Sequence, residues 1–424
     1  MSIALLDIND SNLQLWSAGQ NLQSPAYALL ENNRYLFGNS ARAAARLHPR
    51  QINTRFWWQL NTQPLQPALG PARHTADLVH AHLLDIHEQA GKPAEMLLSV
   101  SSSLQRDQLA LLLGIIQQCP FEAVGLVNRS VVIGSLYGGP GKLFHLEMQL
   151  HQALLCELTE SSGQVELVRS VPLPGCGLLQ LQERLVESIA SAFIRQTRFD
   201  PRRNANTEQL LYDALPGMLQ ELKARSEANM EVNGYRARIV RKELEDAGNR
   251  LFNSAPEAMG ILSASDRVLL DPLASLLPGI GEQIPQAEFI AVDALPKALN
   301  LHVDNLVQRN ETLNFITALP CLAQPIQPQV ADIVAPSPPV QSPRGPLPSH
   351  ILSGASATAL TEQGSLIESN LSLEYTEEKW ILSGTASSTS TVNDEHYPPG
   401  TALFAGDTIS TPSGAMVTLI EVKP

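Results

Sequence analysis

Acidic, imidazole and amide side chains at strand-to-turn positions gather in a few short stretches of this chain. Asp7-Ile8-Asn9-Asp10-Ser11 sets two carboxylates and two small polar side chains at the end of an apolar run, where a strand hands over to a turn. His145-Leu146-Glu147-Met148-Gln149-Leu150-His151 puts a glutamate, an amide and two imidazoles into a second strand-to-turn segment. A carboxylate at such a place holds a proton or metal-bound water, or simply caps the turn; both readings stay open for Asp7. A phosphate is enclosed by backbone N–H groups where small residues let the chain approach. The second segment has no glycine and is not built for that. Gly138-Gly139-Pro140-Gly141-Lys142 has glycines and a lysine without P-loop spacing, and reads as a turn.

Other constellations are thin. Cys119, Cys156, Cys176 and Cys321 form no CxxC pair, which fits buried thiols in a reducing compartment better than a disulfide framework or zinc site. His80, His82 and His87 lie on a helix-like segment without HExxH spacing, so a packing or surface role is expected. No Ser/His/Asp set, paired carboxylates or metal cluster stands out along the chain.

The elements that must position these residues alternate. Ile3 to Leu6 and Leu13 to Trp16 read as a hairpin. Helices are expected over Gly38–His48, Thr75–Ala90, Gln105–Gln118 and Ser130–Tyr137, with strands at Met96–Val100 and Val124–Val127. Leu143 to Leu158 carries a second hairpin pattern, and Leu178 to Arg225 is mainly helical, broken at Asp200-Pro201. A short hairpin turns at Asn233-Gly234; Arg241 to Phe252 is helical again, and Met259 to Leu262 reads as a strand leading through Arg267 into a helix. This is an α/β pattern. Pro320 to Pro348 then holds nine prolines and reads as an extended linker, and short strands divided by turn residues follow to the end.

At 424 residues the chain is long enough for two or three domains. A formal net charge of −13, with only short basic stretches such as Arg202-Arg203, argues against a nucleic-acid or anionic-membrane surface. The start lacks a signal-peptide pattern and no window has the length of a membrane span, so a cytoplasmic protein without membrane insertion is expected.

In this order the segments resemble the nucleotide-binding domain of 70-kDa heat-shock chaperones, within the actin-like ATPase superfamily. Phe37-Gly38-Asn39-Ser40-Ala41 through Pro49, then Asn53-Thr54, is similar to the family's G-x-x-A…P-x-N-T segment. Leu98-Ser99-Val100 with Gln105-Arg106, and Leu126 to Tyr137, resemble later segments of that domain. The resemblance implies a two-lobed actin-like/ribonuclease-H-like ATPase fold over residues 1–318. It also implies positions for a nucleotide cleft: Asp7, Asn9, Asp10 and Ser11 in the first phosphate loop, His145, Glu147 and Gln149 in the second, Arg129 at the water-positioning glutamate, and Ser263 and Arg267 on the adenosine side. At these positions the sequence departs from the family. A glycine has become Asn9, Asp10 adds a negative charge costing on the order of a kcal/mol against phosphate, and the second loop has lost its aspartate and glycines. The lysine expected after Asn53-Thr54 is missing from Arg55-Phe56-Trp57-Trp58-Gln59.

Residues 349–424, beyond a linker over 319–348, resemble a forkhead-associated (FHA) domain, a small all-β sandwich. The matching residues are Trp380-Ile381-Leu382, Ser390-Thr391-Val392-Asn393 and Leu403-Phe404-Ala405-Gly406-Asp407-Thr408-Ile409. Such domains read phosphothreonine with an arginine and a serine. Here Ser353-Gly354-Ala355-Ser356 has no arginine, and Ser356, Ser369, Ser388 and Asn393 are the loop candidates left. Both resemblances, with both sets of functional residues altered, imply a non-catalytic adaptor or scaffold with protein partners in a bacterial multiprotein assembly, without catalytic residues or cofactor. The alternative is a divergent ATP-binding chaperone or assembly ATPase, for which ATP and magnesium would be required.

Overall fold

The computed structural model describes residues 3–309, 313–322, 346–353, 356–361, 365–368, 371–376, 379–384, 390–393, 395–397, 400–411 and 415–422. The chain is mixed α/β and divides into two compact units, Met1–Pro328 and Gln329–Pro424. Ser369 and Ser388, like positions 323–345 of the proline-rich stretch, lie outside the described residues.

Two six-stranded sheets form the frame of the first unit, and they share one plan. In one, Phe315–Ile316, Glu122–Asn128, Glu95–Val100, Ala4–Ile8, Leu13–Ser17 and Gln20–Ser24 lie side by side. In the other the order is Ala287–Phe289, Arg267–Leu270, Lys142–Met148, Gln152–Ser161, Gln164–Pro174 and Ala318–Pro320. Each has a three-stranded antiparallel meander whose first strand is flanked on its other side by parallel neighbours. The parallel strands are apolar along most of their length, as strands covered on both faces must be. Ala4-Leu5-Leu6-Asp7-Ile8 is buried at every position. The plan brings the turn after Ala4–Ile8 and the turn after Lys142–Met148 to the carboxyl ends of their parallel strands, the usual place for function in such sheets.

Helices cover the sheets by apolar stripes. Leu181, Leu185, Ile189 and Phe193 recur every fourth residue along Leu178–Thr197 and are all buried. Leu211, Leu215, Met218 and Leu222, spaced by four, three and four, form the buried stripe of Ala205–Ala224, which Asn204 caps by accepting from Asn206 N–H. His82 sits at the centre of Thr75–Gln89, fully buried, taking a hydrogen bond from Trp57 Nε1 on Nδ1 at 3.0 Å. Its Nε2 therefore carries the proton and donates to Ser24 Oγ at 2.8 Å, and burial holds its pKa down at about 3. It is a neutral packing histidine.

Three expectations change. The helix expected over Gly38–His48 is α-helical only over Gly38–Arg42. Beyond it Ala44, Ala45 and Leu47 bond three residues back, while Arg46 N–H is held by Gln209 Oε1 of a distant helix, so tertiary contact overrides the alanine-rich propensity. Met259–Leu262 is not a strand. Met259 ends the helix Asn249–Met259, whose Leu251, Phe252, Ala255 and Met259 form its buried face, and Gly260 closes it at φ +74°. The strand comes later, at Arg267–Leu270, and leads to Asp271-Pro272 and a short 3₁₀ turn rather than directly into a helix. The long strand Gln164–Pro174, hidden by its mixed polar pattern, completes the second meander.

In the second unit, a six-stranded and a three-stranded sheet share one core that includes Leu371, Trp380, Tyr397 and Leu419. Asn393 adopts φ +54° and clamps two strands: its N–H donates to Thr408 O, its Oδ1 accepts from Thr408 N–H, and its Nδ2 donates to Asp407 Oδ1. Asn393 is thus spent on the scaffold, whereas Ser356 is exposed on the edge strand Ser356–Ala359. Asn393→Ala removes two side-chain bonds and adds left-handed strain, for a loss of about 1–3 kcal/mol. Amide hydrogen exchange in Thr408–Ser410 and Met416–Ile420 should accelerate at least fivefold; unchanged protection would show the clamp to be dispensable.

Candidate functional site

Asp7 belongs to the central strand of the first sheet, where its side chain is fully buried. Ser99, its parallel neighbour, donates Oγ–H to Oδ1 at 3.3 Å. Arg129 opens a short helix at the end of the strand Glu122–Asn128, with Asn128 accepting from Val131 N–H as cap. From there its Nε reaches Asp7 at 3.1 and 3.2 Å. Its Nη1 reaches Asp271 at 3.0 and 3.1 Å, and Glu147 Oε2 lies 3.8 Å away. One guanidinium thus joins carboxylates from both sheets.

Asp271 carries further ligands. Its Oδ2 accepts Met148 N–H at 3.1 Å, and its Oδ1 faces His145 Nε2 at 3.3 Å. The other imidazole nitrogen of His145 meets Ser130 Oγ at 2.8 Å. The structure therefore assembles a Ser130–His145–Asp271 chain that sequence spacing did not reveal. Ser130 and His145 are completely buried, so the hydroxyl has no route to a substrate and the chain orients Asp271.

The two turns are bonded to one another. Asn9 Nδ2 donates to Met148 O at 3.2 Å and to Glu147 Oε1 at 3.3 Å, and Ser11 Oγ–H points to Met148 O at 2.8 Å. In the other direction Leu150 N–H donates to Asp10 Oδ1 at 2.8 Å. Gln149 Nε2 spans Glu147 Oε1, Ser101 Oγ and Ser103 Oγ. Trp58 stacks on His151 beside this seam, Trp57 is held in the core by His82, and Met148 contributes the shared carbonyl.

Three buried carboxylates, Asp7, Glu147 and Asp271, face one guanidinium, and Asp10 lies buried in the seam beside them. Burial pushes Asp7 up to about 6 against the pull of Arg129, and pushes Asp10 up to about 7 against the Leu150 N–H bond. Burial acts on Asp271 too, but Arg129 and His145 outweigh it and hold it at about 2. Arg129 itself is raised, because Asp271, Asp7 and Glu147 outweigh its own desolvation. Asp10 Oδ2 and Glu147 Oε2 are buried with no hydrogen-bond partner.

Of the residues expected at a cleft, Asp7, Asn9, Asp10, Ser11, Arg129, His145, Glu147 and Gln149 come together here. Ser263 and Arg267 do not. Arg267 pairs in register with Leu143 at the far end of its strand, about 13 Å from Asp271 at strand rise, and donates to Gly138 O. Ser263 is exposed in the loop before it. The residue that takes their place is Asp271. A signal for it existed: Val268-Leu269-Leu270-Asp271 repeats the pattern of Ala4-Leu5-Leu6-Asp7, a carboxylate closing an apolar strand. Among the described residues no group of three or more His, Cys, Asp and Glu is placed to hold a metal ion, and no helix is long and apolar enough to cross a membrane. Comparison of the sequence with protein-family models and with curated proteins gives no match.

Two outcomes follow from the electrostatics. Arg129→Met strands the carboxylates without their cation and should cost about 3–5 kcal/mol in urea unfolding at pH 8, less at pH 5 where Asp7 and Asp10 protonate. Asp10 has a folded pKa of about 7 against an ordinary 3.8, so the native state binds the extra proton between those values. Its contribution to stability is complete below pH 3.8 and is lost as pH rises through 7. Asp10→Asn keeps the acceptor for Leu150 N–H and removes this loss. It should stabilise the protein at pH 8 by about 1–3 kcal/mol and flatten the fall in melting temperature between pH 5 and 8; an unchanged slope would assign the fall to other groups.

Proposed function

We propose that the first unit is a degenerate actin-like nucleotide-binding domain of two lobes that has become a non-catalytic scaffold, and that the second is an FHA-like interaction module. The chain then acts as an adaptor for protein partners in a multiprotein assembly. The observation that carries the reading is the direct bonding of the two turns. In the resembled family a phosphate chain lies between them; here Asp10 Oδ1 takes the backbone N–H of Leu150, and Met148 O takes Asn9 and Ser11. The protein's own carboxylate stands in for the anion.

The cation is supplied internally as well. Arg129 occupies the space among Asp7, Glu147 and Asp271 that a divalent ion would need, and its three partners hold its charge. Phosphoryl transfer works by metal ions and donors placed around the phosphates. With both roles filled by side chains, an incoming triphosphate would have to break the turn-to-turn bonds and meet uncompensated carboxylates. Two sheets of one plan, each ending in a turn at the same cleft, support the actin-like part of the reading. The Asn393 clamp and the two-sheet core support the FHA-like part.

Isothermal titration with ATP and with ADP, each with magnesium, checks the proposal. No heat of binding and no phosphate release are expected. Micromolar binding with steady phosphate release would overturn it in favour of a divergent ATPase, in which Asp7→Ala should abolish turnover.

A further inference from the structure

Beside the sealed turns a separate cleft stays open, with a volume of about 190 Å³. Its walls are apolar: Met148 and Leu150 come from the second turn, and Leu181, Leu185, Leu215 and Leu219 from the two long helices. Its rim is polar, with Asn12, Asn39 and Gln182, and carries one charged side chain, Arg42. Arg42 is exposed and, unlike Arg46, which pairs with Glu208, makes no ion pair among the described residues.

We infer that this cleft is a binding site for an amphipathic monoanion, an apolar body bearing a single carboxylate or sulfonate that pairs with Arg42. The apolar walls reward burial of a hydrocarbon or aromatic body at roughly 25 cal/mol per Å². The charge pattern restricts the head group. One guanidinium matches one negative charge, in a chain whose formal net charge is −13. On one side the adjoining cavity, which shares Ser11, Asn12 and Leu273 with this one, is lined by Asp7 and Asp271 and repels a further negative charge. Arg129 there is already committed to those carboxylates. On the other, the cavity that shares Tyr27, Arg42 and Gln182 adds Arg46, but Arg46 is paired with Glu208, and Glu183 and Asp213 line the same wall. The site stands apart from the scaffold reading and holds whether or not the sealed turns bind anything.

Decanoate and 8-anilinonaphthalene-1-sulfonate are suitable probes. The sulfonate dye should bind the full-length protein at one saturable site, with a rise in fluorescence that decanoate reverses and ATP does not. Arg42→Glu, at an exposed position, should weaken both probes at least tenfold, and Leu215→Trp, which fills the cleft, should abolish binding. Arg42→Glu carries the test if Leu215→Trp does not fold. Absence of saturable binding, affinity unmoved by Arg42→Glu, or displacement of the dye by ATP at concentrations that suffice for decanoate would each overturn the inference. Titration with ATP alone reports on the sealed turns, so failure of one reading is distinguishable from failure of the other.

Discussion

The guanidinium of Arg129 is the interaction on which the first unit depends. It is buried, and it binds Asp7 of one sheet and Asp271 of the other within 3.2 Å, with Glu147 close by. Each carboxylate closes or continues an apolar strand, so none can turn to water. An unpaired charge in that setting costs several kcal/mol, and the pairing removes this cost rather than adding much net stability. What the pairing does add is registration: the ends of two sheets meet at a single cation, and the turns beyond them are placed accordingly.

From that placement the rest of the site follows. With the strand ends fixed, the turns sit close enough for Asn9, Asp10 and Ser11 to bond directly to Met148 and Leu150. The seam leaves two carboxylate oxygens, Asp10 Oδ2 and Glu147 Oε2, without a hydrogen-bond partner among the described residues. Burial raises Asp7 to about 6 and Asp10, which Arg129 does not reach, to about 7. On the far side of the same seam, the backs of Met148 and Leu150 help to form a leucine-walled cleft. One short turn thus closes a polar site with its backbone and polar groups while its side chains open an apolar one.

Much of this was legible beforehand, and the failures have physical causes. Ala4–Ile8, Thr75–Gln89 and the hairpin at Asn233-Gly234 announced themselves through apolar periodicity and turn chemistry, which are local properties. The helix Gly38–Arg42 stopped short because Gln209, remote in sequence, holds Arg46 N–H. Met259 belonged to a helical stripe whose period competes with a short strand pattern. Beyond the short apolar-strand-plus-aspartate pattern of Ala4–Asp7 and Val268–Asp271, the duplicated sheet plan left no repeat in the residues, because burial demands apolarity without specifying which apolar residue.

The sequence by itself determined that Asp7, Asn9, Asp10, Glu147 and Gln149 lie at strand-to-turn positions, and that no glycine in the second turn can enclose a phosphate. Composition and local periodicity carry that much, since each depends only on neighbours along the chain. Tertiary folding makes Arg129 the shared cation of Asp7, Glu147 and Asp271, puts Asp271 where Ser263 and Arg267 were expected, and bonds the turns to each other. The bonds of Arg129 to Asp7 and Asp271, and of Leu150 to Asp10, join residues more than a hundred positions apart. Sheet order and register bring them together, and neither leaves a periodic trace in the sequence.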